Sequence, residues 1–230
     1  MFSPADLFDL TQTEHAALFE GCTYAWEALR RIRPYLEANL RPALRNQCEG
    51  VAFIGPNVFI GEGTLVEDGV MIKGPAIIGR NCQIRHNAYL REYVIVGDHC
   101  VVGNSCELKN SLLFNHANVP HFNYVGDSIL GHKAHLGAGV KISNVKLVQG
   151  NILVEVNGKT CDTGLRKFGA LVGDRCEIGC NAVLNPGSII GPGSVIYANT
   201  NWRGALPPNS IVKNKTVQQV ISRKDLDSEK

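Results

Sequence analysis

Apolar residues recur along this chain at a fixed step of six. From Ile54 the step lands on Ile60, Val66, Ile72, Ile78, Ile84, Leu90, Val96, Val102, Leu108 and Phe114, all apolar. At 44% hydrophobic residues, chance gives such a run about once in ten thousand trials at a fixed phase, so the step is a signal. It returns at Val172, Ile178, Leu184, Ile190, Ile196 and Trp202. A period of six fits neither an α-helix nor a hairpin sheet. It marks a parallel β-helix in which each hexad supplies one short strand and one corner. Three hexads close a triangular coil, the stepped aliphatics fill the prism, and coils stack about 4.8 Å apart. Residues 51–146 and 168–212 then predict an all-β solenoid of about seven or eight coils. Four places after each aliphatic stands a smaller residue, such as Thr64, Ala76, Cys82, Ala88, Cys100, Cys106 and Cys176. Gly55, Gly61, Gly79, Gly97 and Gly103 follow the aliphatic directly, where a corner is expected to need positive φ.

Both ends leave the pattern. Ser3-Pro4 reads as a helix N-cap with Pro at the first helical position, and Thr11 with Glu14 as a capping box. Trp26, Leu29, Arg33, Leu36 and Leu40 form an imperfect helical stripe, with Pro34 marking a kink or a second helix. Residues 1–48 are therefore expected to be a helical appendage, docked on the prism or on a neighbouring copy, with Arg30, Arg31 and Arg33 as a solvated face. Residues 49–212 form the β-helix domain, and 213–230 a polar tail.

Composition adds constraints. The 23 Lys and Arg against 21 Asp and Glu leave a net charge of +2, which gives no reason to expect a nucleic-acid or membrane-surface partner. No stretch approaches the roughly 18 apolar residues of a membrane span. Four of the eight cysteines, Cys82, Cys100, Cys106 and Cys176, hold the small fifth position, so they are expected as buried thiols. Cys176 and Cys180 lack the C-x-x-C spacing of a zinc site. The start Met1-Phe2-Ser3-Pro4 has no basic leader region, so a reduced, cytoplasmic setting is expected.

The departures from the repeat carry the chemistry. Val125 follows Phe114 by eleven residues and Leu130 follows Val125 by five, placing two one-residue deletions around Pro120-His121-Phe122-Asn123-Tyr124-Val125-Gly126-Asp127. A second break, residues 147–168, contains a hairpin signal at Asn157-Gly158. Lys73, Arg91 and Lys109 are spaced by 18, one coil each, and should stack on one edge, whereas the equivalent columns are Gly61, Gly79, Gly97 and Glu67, Arg85, Gly103. Stacked like charges repel, and a bound anion such as phosphate relieves the repulsion. The alternative is plain solvent-facing charge.

The segments Glu107-Leu108-Lys109, Pro120 to Asp127 and Leu136-Gly137-Ala138-Gly139 resemble the C-terminal left-handed β-helix domain of bifunctional sugar-1-phosphate nucleotidylyltransferase/amino-sugar-1-phosphate acetyltransferases. Val156-Asn157-Gly158-Lys159 and Gly164 to Ala170 are similar to the archaeal-type members. The resemblance implies the left-handed form of the helix, acetyl-CoA as cosubstrate, no metal, and a homotrimer with sites between subunits. It implies His121 as catalytic base, Glu107 as its orienting carboxylate, and Arg91 and Lys109, with Lys73 in their column, as sugar-phosphate ligands. Tyr124 and Asn144 match sugar-binding positions. Ala138, Cys180 and Ala198 match acetyl-CoA contacts. Two positions depart: the family's Asn before Gly-Ala-Gly is His135 here, and a substrate Lys of the bacterial members falls on Gly150, with Lys146 as a replacement. The nucleotidylyltransferase domain has no counterpart in the 48 residues before the repeat, so a monofunctional chain is expected.

The implied chemistry is physically sound. A sugar ammonium becomes a nucleophile on losing a proton, and an imidazole with an ordinary pKa near 6.5 is suited to take it. Two alternatives stand beside this. A metal-dependent hydratase of the γ-carbonic anhydrase type is suggested by His116 and His121. Its third His should lie about 36 residues earlier, where Arg80 stands, and His86 is 30 residues before His116, not a whole number of coils. The other alternative is a non-enzymatic trimeric scaffold or regulatory subunit. O-acylation or a longer acyl donor is also open.

Overall fold

The structure is a computed structural model that describes residues 2–156, 158–214 and 218–221. It is the all-β parallel β-helix expected from the hexads, in the left-handed form that the resemblance implies. Each coil contributes one strand to each of three parallel sheets, here faces A, B and C in chain order. Face A runs in nine strands from Ala43–Leu44 to Ala205–Leu206, and face B in nine from Gln47–Cys48 to Ile211–Val212. Face C runs in eight from Phe53–Ile54 to Asn201–Trp202.

There are about nine coils rather than seven or eight, because the first coil begins at Ala43, inside the expected appendage. The 213–230 tail falls largely outside the described residues. Among the described residues, no helix is long and apolar enough to cross a membrane.

The stepped aliphatics and the small fifth positions form one buried core from Val58 to Leu206, with Cys82, Cys100, Cys106 and Cys176 inside it. Burial pushes the Cys176 thiol up to about 12, so it stays protonated and unreactive. The glycines that follow the aliphatics have a different cause from the one expected. Positive φ falls two residues later, on Asn81, Asn87, His99, Ser105, Asn181 and Asn199, where Asn tolerates the left-handed region. Gly61, Gly79 and Gly97 instead allow close stacking: a Cβ on Gly61 would lie 2.7 Å from the Gly79 backbone.

Phe114 is not a core hexad position. Leu113 pairs with Val96 and fills the prism, while Phe114 faces outward against Phe8 and Phe19 at ring distances of 5.1 and 5.8 Å. The first deletion therefore lies between Leu108 and Leu113, and the second between Val125 and Leu130. Both fall where face C turns into face A. The inserted segment leaves from the same edge, after Lys141–Ile142 on face C, and returns at Ala170–Val172 on face A. Its hairpin pairs Leu153–Val156 with Lys159–Asp162. The CA edge thus collects most of the irregularities, including a two-residue shortening between Trp202 and Leu206. The AB edge has one, between Leu44 and Cys48 in the first coil, and the BC edge keeps the plain repeat.

Residues 4–39 form short helices, Pro4–Leu7 and Ile32–Asn39 in α form and three 3-10 turns between them. Pro34 sits in the first turn of the last helix, where its missing N–H costs nothing. Thr11 is not a cap; Asp9 caps that turn through Thr11. These helices dock on face A of their own prism. Leu7, Phe19, Trp26 and Leu36 join the outward Ile95, Leu112, Ile129, Leu171 and Ile189 in a second core. This cover explains why Val94–Val96, Ala170–Val172 and Ser188–Ile190 are buried on both sides.

Candidate active site

Two edges of face C carry the candidate residues. On the BC edge, Asn118 pairs with His135 and Gly139 N–H donates to His121 O at 2.9 Å, so His121 stands one coil from Ala138. Leu136 pairs with Ile178, and Asn181 N–H donates to Ala138 O at 2.8 Å. Ile178 pairs with Ile196, and Asn199 N–H donates to Cys180 O at 2.9 Å. His121, Ala138, Cys180 and Ala198 therefore form one column on successive coils, about 4.8 Å apart. An open groove beside it is lined by His135, Gly137, Glu177, Cys180, Tyr197 and Ala198. The wall along the column is Gly137, Gly179, Cys180 and Ala198, small enough to admit an extended ligand, with His135, Glu177 and Tyr197 beside them. His121 is exposed at the head of the column, beside Phe122, and its ring has no hydrogen bond to another described residue.

The CA edge is polar and tightly bonded. Lys73, Arg91 and Lys109 stack in register as expected, but carboxylates interleave with them. Lys73 Nζ lies 3.5 Å from Glu92 and over the Tyr89 ring. Arg91 Nη1 donates to Glu107 Oε1 at 3.0 Å, so within the chain Glu107 is held by Arg91 rather than by His121. Arg91 Nε is buried without a hydrogen-bond partner among the described residues. Lys109 Nζ is 4.0 Å from Asp127. Asn110 donates to Asp127 Oδ1 at 2.8 Å, and Asn144 Nδ2 donates to Asp127 Oδ2. The two shortened corners at Asn110 and Asp127 make this clustering possible.

Tyr124 Oη and Asn144 Nδ2 meet over Gly126, at 2.7 and 2.8 Å from where a Cβ there would be. Burial pushes the Tyr124 phenol up, and Glu107 and Asp127 add to it. Burial pushes the Lys109 ammonium down. Asp127 opposes this, and Lys167 and Arg91 reinforce it. Lys167, which the sequence reading missed, is thus a fourth cation at this edge, beside Lys73, Arg91 and Lys109. Lys146 lines a separate hollow with Ser143, Asn185 and Arg203. The available signal was position: Lys167 is delivered where the repeat resumes after the insertion.

The remaining histidines lie elsewhere. His116 stacks on His99 at 4.8 Å and meets His132 edge-on at 5.4 Å, on the AB edge. His116 and His121 thus stand on different edges, and the five-residue spacing forms no pair. His86 is bonded to Asp68 O at 2.7 Å. Among the described residues, no group of three His, Cys, Asp or Glu is placed to hold a metal ion.

The chain is a parallel β-helix built on a six-residue repeat, and known proteins match parts of it. A family model described as the GMPPB C-terminal domain matches residues 72–163, and one described as the hexapeptide repeat of succinyl-transferase matches residues 170–200. A bifunctional sugar-1-phosphate nucleotidylyltransferase/acetyltransferase of Sulfurisphaera tokodaii is 36% identical over 87 residues, 38% of this chain and 22% of the relative. A bifunctional protein GlmU of Methanococcus maripaludis is 32% identical over 114 residues, 50% of this chain and 27% of the relative. The chain thus spans about a quarter of the length of the curated relatives it matches. Its resemblance is to the acetyltransferase-like part of these bifunctional proteins. Among solved structures, a UDP-N-acetylglucosamine acyltransferase aligns over 70% of each chain at 16% identity and a TM-score of 0.28. PerB from Caulobacter crescentus, in complex with CoA and GDP-perosamine, aligns over 80% of this chain and 60% of its own at 20% identity and a TM-score of 0.22.

Proposed function

We propose that this protein is an acyltransferase of the hexapeptide-repeat class that moves an acetyl group from acetyl-CoA to the amine of an amino-sugar-1-phosphate. The observation that carries the reading is the pairing of the two edges. A column of His121, Ala138, Cys180 and Ala198 borders an open groove, and a cationic cluster of Arg91, Lys109 and Lys167 lies across face C. The groove suits the extended donor and the cluster suits the phosphate. Arg91 Nε, buried without a hydrogen bond among the described residues and 3.8 Å from Glu92 Oε2, offers a hydrogen bond to a phosphate oxygen. Tyr124 and Asn144, meeting over Gly126, are assigned to the sugar.

His121 takes a proton from the sugar ammonium, and the freed amine attacks the thioester carbonyl. The tetrahedral oxyanion falls to backbone N–H groups of the BC edge. Its collapse breaks the C–S bond, the imidazolium returns its proton to the departing thiolate, and the surplus proton on the new amide nitrogen passes to solvent. No covalent enzyme intermediate is needed. Residues 49–212 are read as the catalytic domain, in a cytoplasmic homotrimer. His121 and Lys109 stand on opposite edges of face C, so a neighbouring copy over that face would close the site and bring a carboxylate to His121.

The test is thiol release from acetyl-CoA with purified protein and a panel of amino-sugar-1-phosphates. Release with glucosamine-1-phosphate or a close relative is expected. Absence of release with every sugar in the panel contradicts the reading.

A further inference from the structure

The helices of residues 4–39 reach the CA edge through the inserted loop. Arg30 Nη2 donates to Thr163 O at 2.8 Å. The next residue, Gly164, has φ +65, and any Cβ there would collide with Arg30 Nη2. Trp26, buried among the helices, meets the Phe168 ring at 6.4 Å, and Phe168 is fully buried in the second core. Lys167 therefore lies between two anchored points. Phe168 N–H donates to Asn144 O at 3.0 Å. Asn144 in turn bonds Asp127, which lies 4.0 Å from Lys109. An unbroken chain of contacts thus runs from the N-terminal helices to the cationic cluster.

We propose that the N-terminal helices brace the acceptor site, with Arg30 and Trp26 as positioning residues that hold the inserted loop so that Lys167 stands at the Lys109–Asp127 cluster. The inference rests on reading the CA edge as the acceptor site. A 22-residue excursion from a β-helix (147–168) keeps much backbone freedom unless it is tied down. Its own hairpin orders its middle, and Arg30 orders the return arm. Removing one charged hydrogen bond to a carbonyl shifts such a local equilibrium by about tenfold.

Arg30 is exposed, so Arg30→Ala leaves the fold intact and is the variant to use. Steady-state acetylation of glucosamine-1-phosphate is measured together with amide hydrogen exchange of the loop. Arg30→Ala is expected to raise KM for the sugar phosphate about tenfold and to speed exchange of residues 163–168. KM for acetyl-CoA and kcat stay within about twofold of wild type. Arg30→Lys recovers part of both effects. Lys167→Ala raises the same KM without changing loop exchange. Unchanged exchange overturns the brace, as does faster exchange with an unchanged sugar-phosphate KM, or a matched rise in both KM values. If wild type acetylates no sugar phosphate, the proposed activity fails separately, and titration with inorganic phosphate decides. Weaker phosphate binding in both Arg30→Ala and Lys167→Ala supports the brace, and wild-type binding in either overturns it.

Discussion

The two edges of face C are built from one repeat and differ in how faithfully they keep it. Along the BC edge the hexads run without insertion or deletion, and the result is a column of small residues headed by His121. Along the CA edge two corners lose a residue, a third is opened by a 22-residue excursion, and a fourth, between Trp202 and Leu206, loses two. The result is a knot of Lys109, Asn110, Asp127, Asn144 and Lys167. A strict repeat yields a long, uniform groove, suited to an extended ligand whose shape is constant. Broken repeats yield convergent side chains, suited to a compact ligand that must be told apart from others. Donor and acceptor are assigned to the edges on that ground.

The largest expected effect breaks the chemistry and spares both edges. His121→Ala should lower kcat by about 10²–10⁴-fold, the usual worth of a general base, with thermal unfolding unchanged because the side chain is exposed and makes no hydrogen bond. A rate within twofold of wild type would remove His121 from its role.

Next is the helical cover on face A. His15 is buried, with its ring 3.0 Å from the Tyr35 hydroxyl. Burial pushes its pKa from 6.5 down to about 4, against a small opposing pull from Asp98. The unfolded segment then binds the extra proton between pH 6.5 and 4, so the docked helices lose stability as pH falls through that window. The loss approaches about 3 kcal/mol at its lower end. Hydrogen exchange of residues 15–36 should quicken over this range, and His15→Gln should flatten the dependence. The same profile in His15→Gln as in wild type would refute the assignment.

Lys109→Ala should separate the two edges. Loss of one charged phosphate contact, about 1.5–3 kcal/mol, raises the sugar-phosphate KM about 10- to 100-fold and leaves KM for acetyl-CoA unaltered. A parallel rise in both would mean that the edges do not divide the substrates.

The difference between the edges also explains what could be read from the sequence. The regular part was legible because every hexad repeats the same steric demand: Ile60, Ile78, Cys82, Cys100 and Cys176 are all in the core. Phe114 was misplaced because it is apolar for another reason: it packs on Phe8 and Phe19 rather than inside the prism. The docking of the helices left a trace in Ile95, Leu112, Ile129, Leu171 and Ile189, the outward face A residues, but a step of six tracks only the inward set. Arg30, Arg31 and Arg33 were expected in solvent, and Arg30 and Arg33 are exposed, but each also makes a contact: Arg30 bonds Thr163, Arg31 bonds the Glu20 carbonyl, and Arg33 pairs with Glu37 over Tyr93. The Arg33–Glu37 pair is a local i,i+4 contact, but the Arg30–Thr163 bond spans 133 residues, and no local pattern encodes it. Lys167 was hidden in the same way, since the path of the loop decides where it lands. The basic column of Lys73, Arg91 and Lys109 was visible; its carboxylate partners Glu92, Glu107 and Asp127 were fixed only by register.

The central claim is that the regular edge holds the donor and the irregular edge the acceptor. A crystal structure of the full chain with bound coenzyme A tests it most directly. The account predicts the pantetheine chain along Ala138, Cys180 and Ala198, with the sulfur near His121 and the cluster of Lys109 and Lys167 left free for the sugar phosphate. Coenzyme A lying along the CA edge, with its phosphates on Arg91 and Lys109, would contradict it.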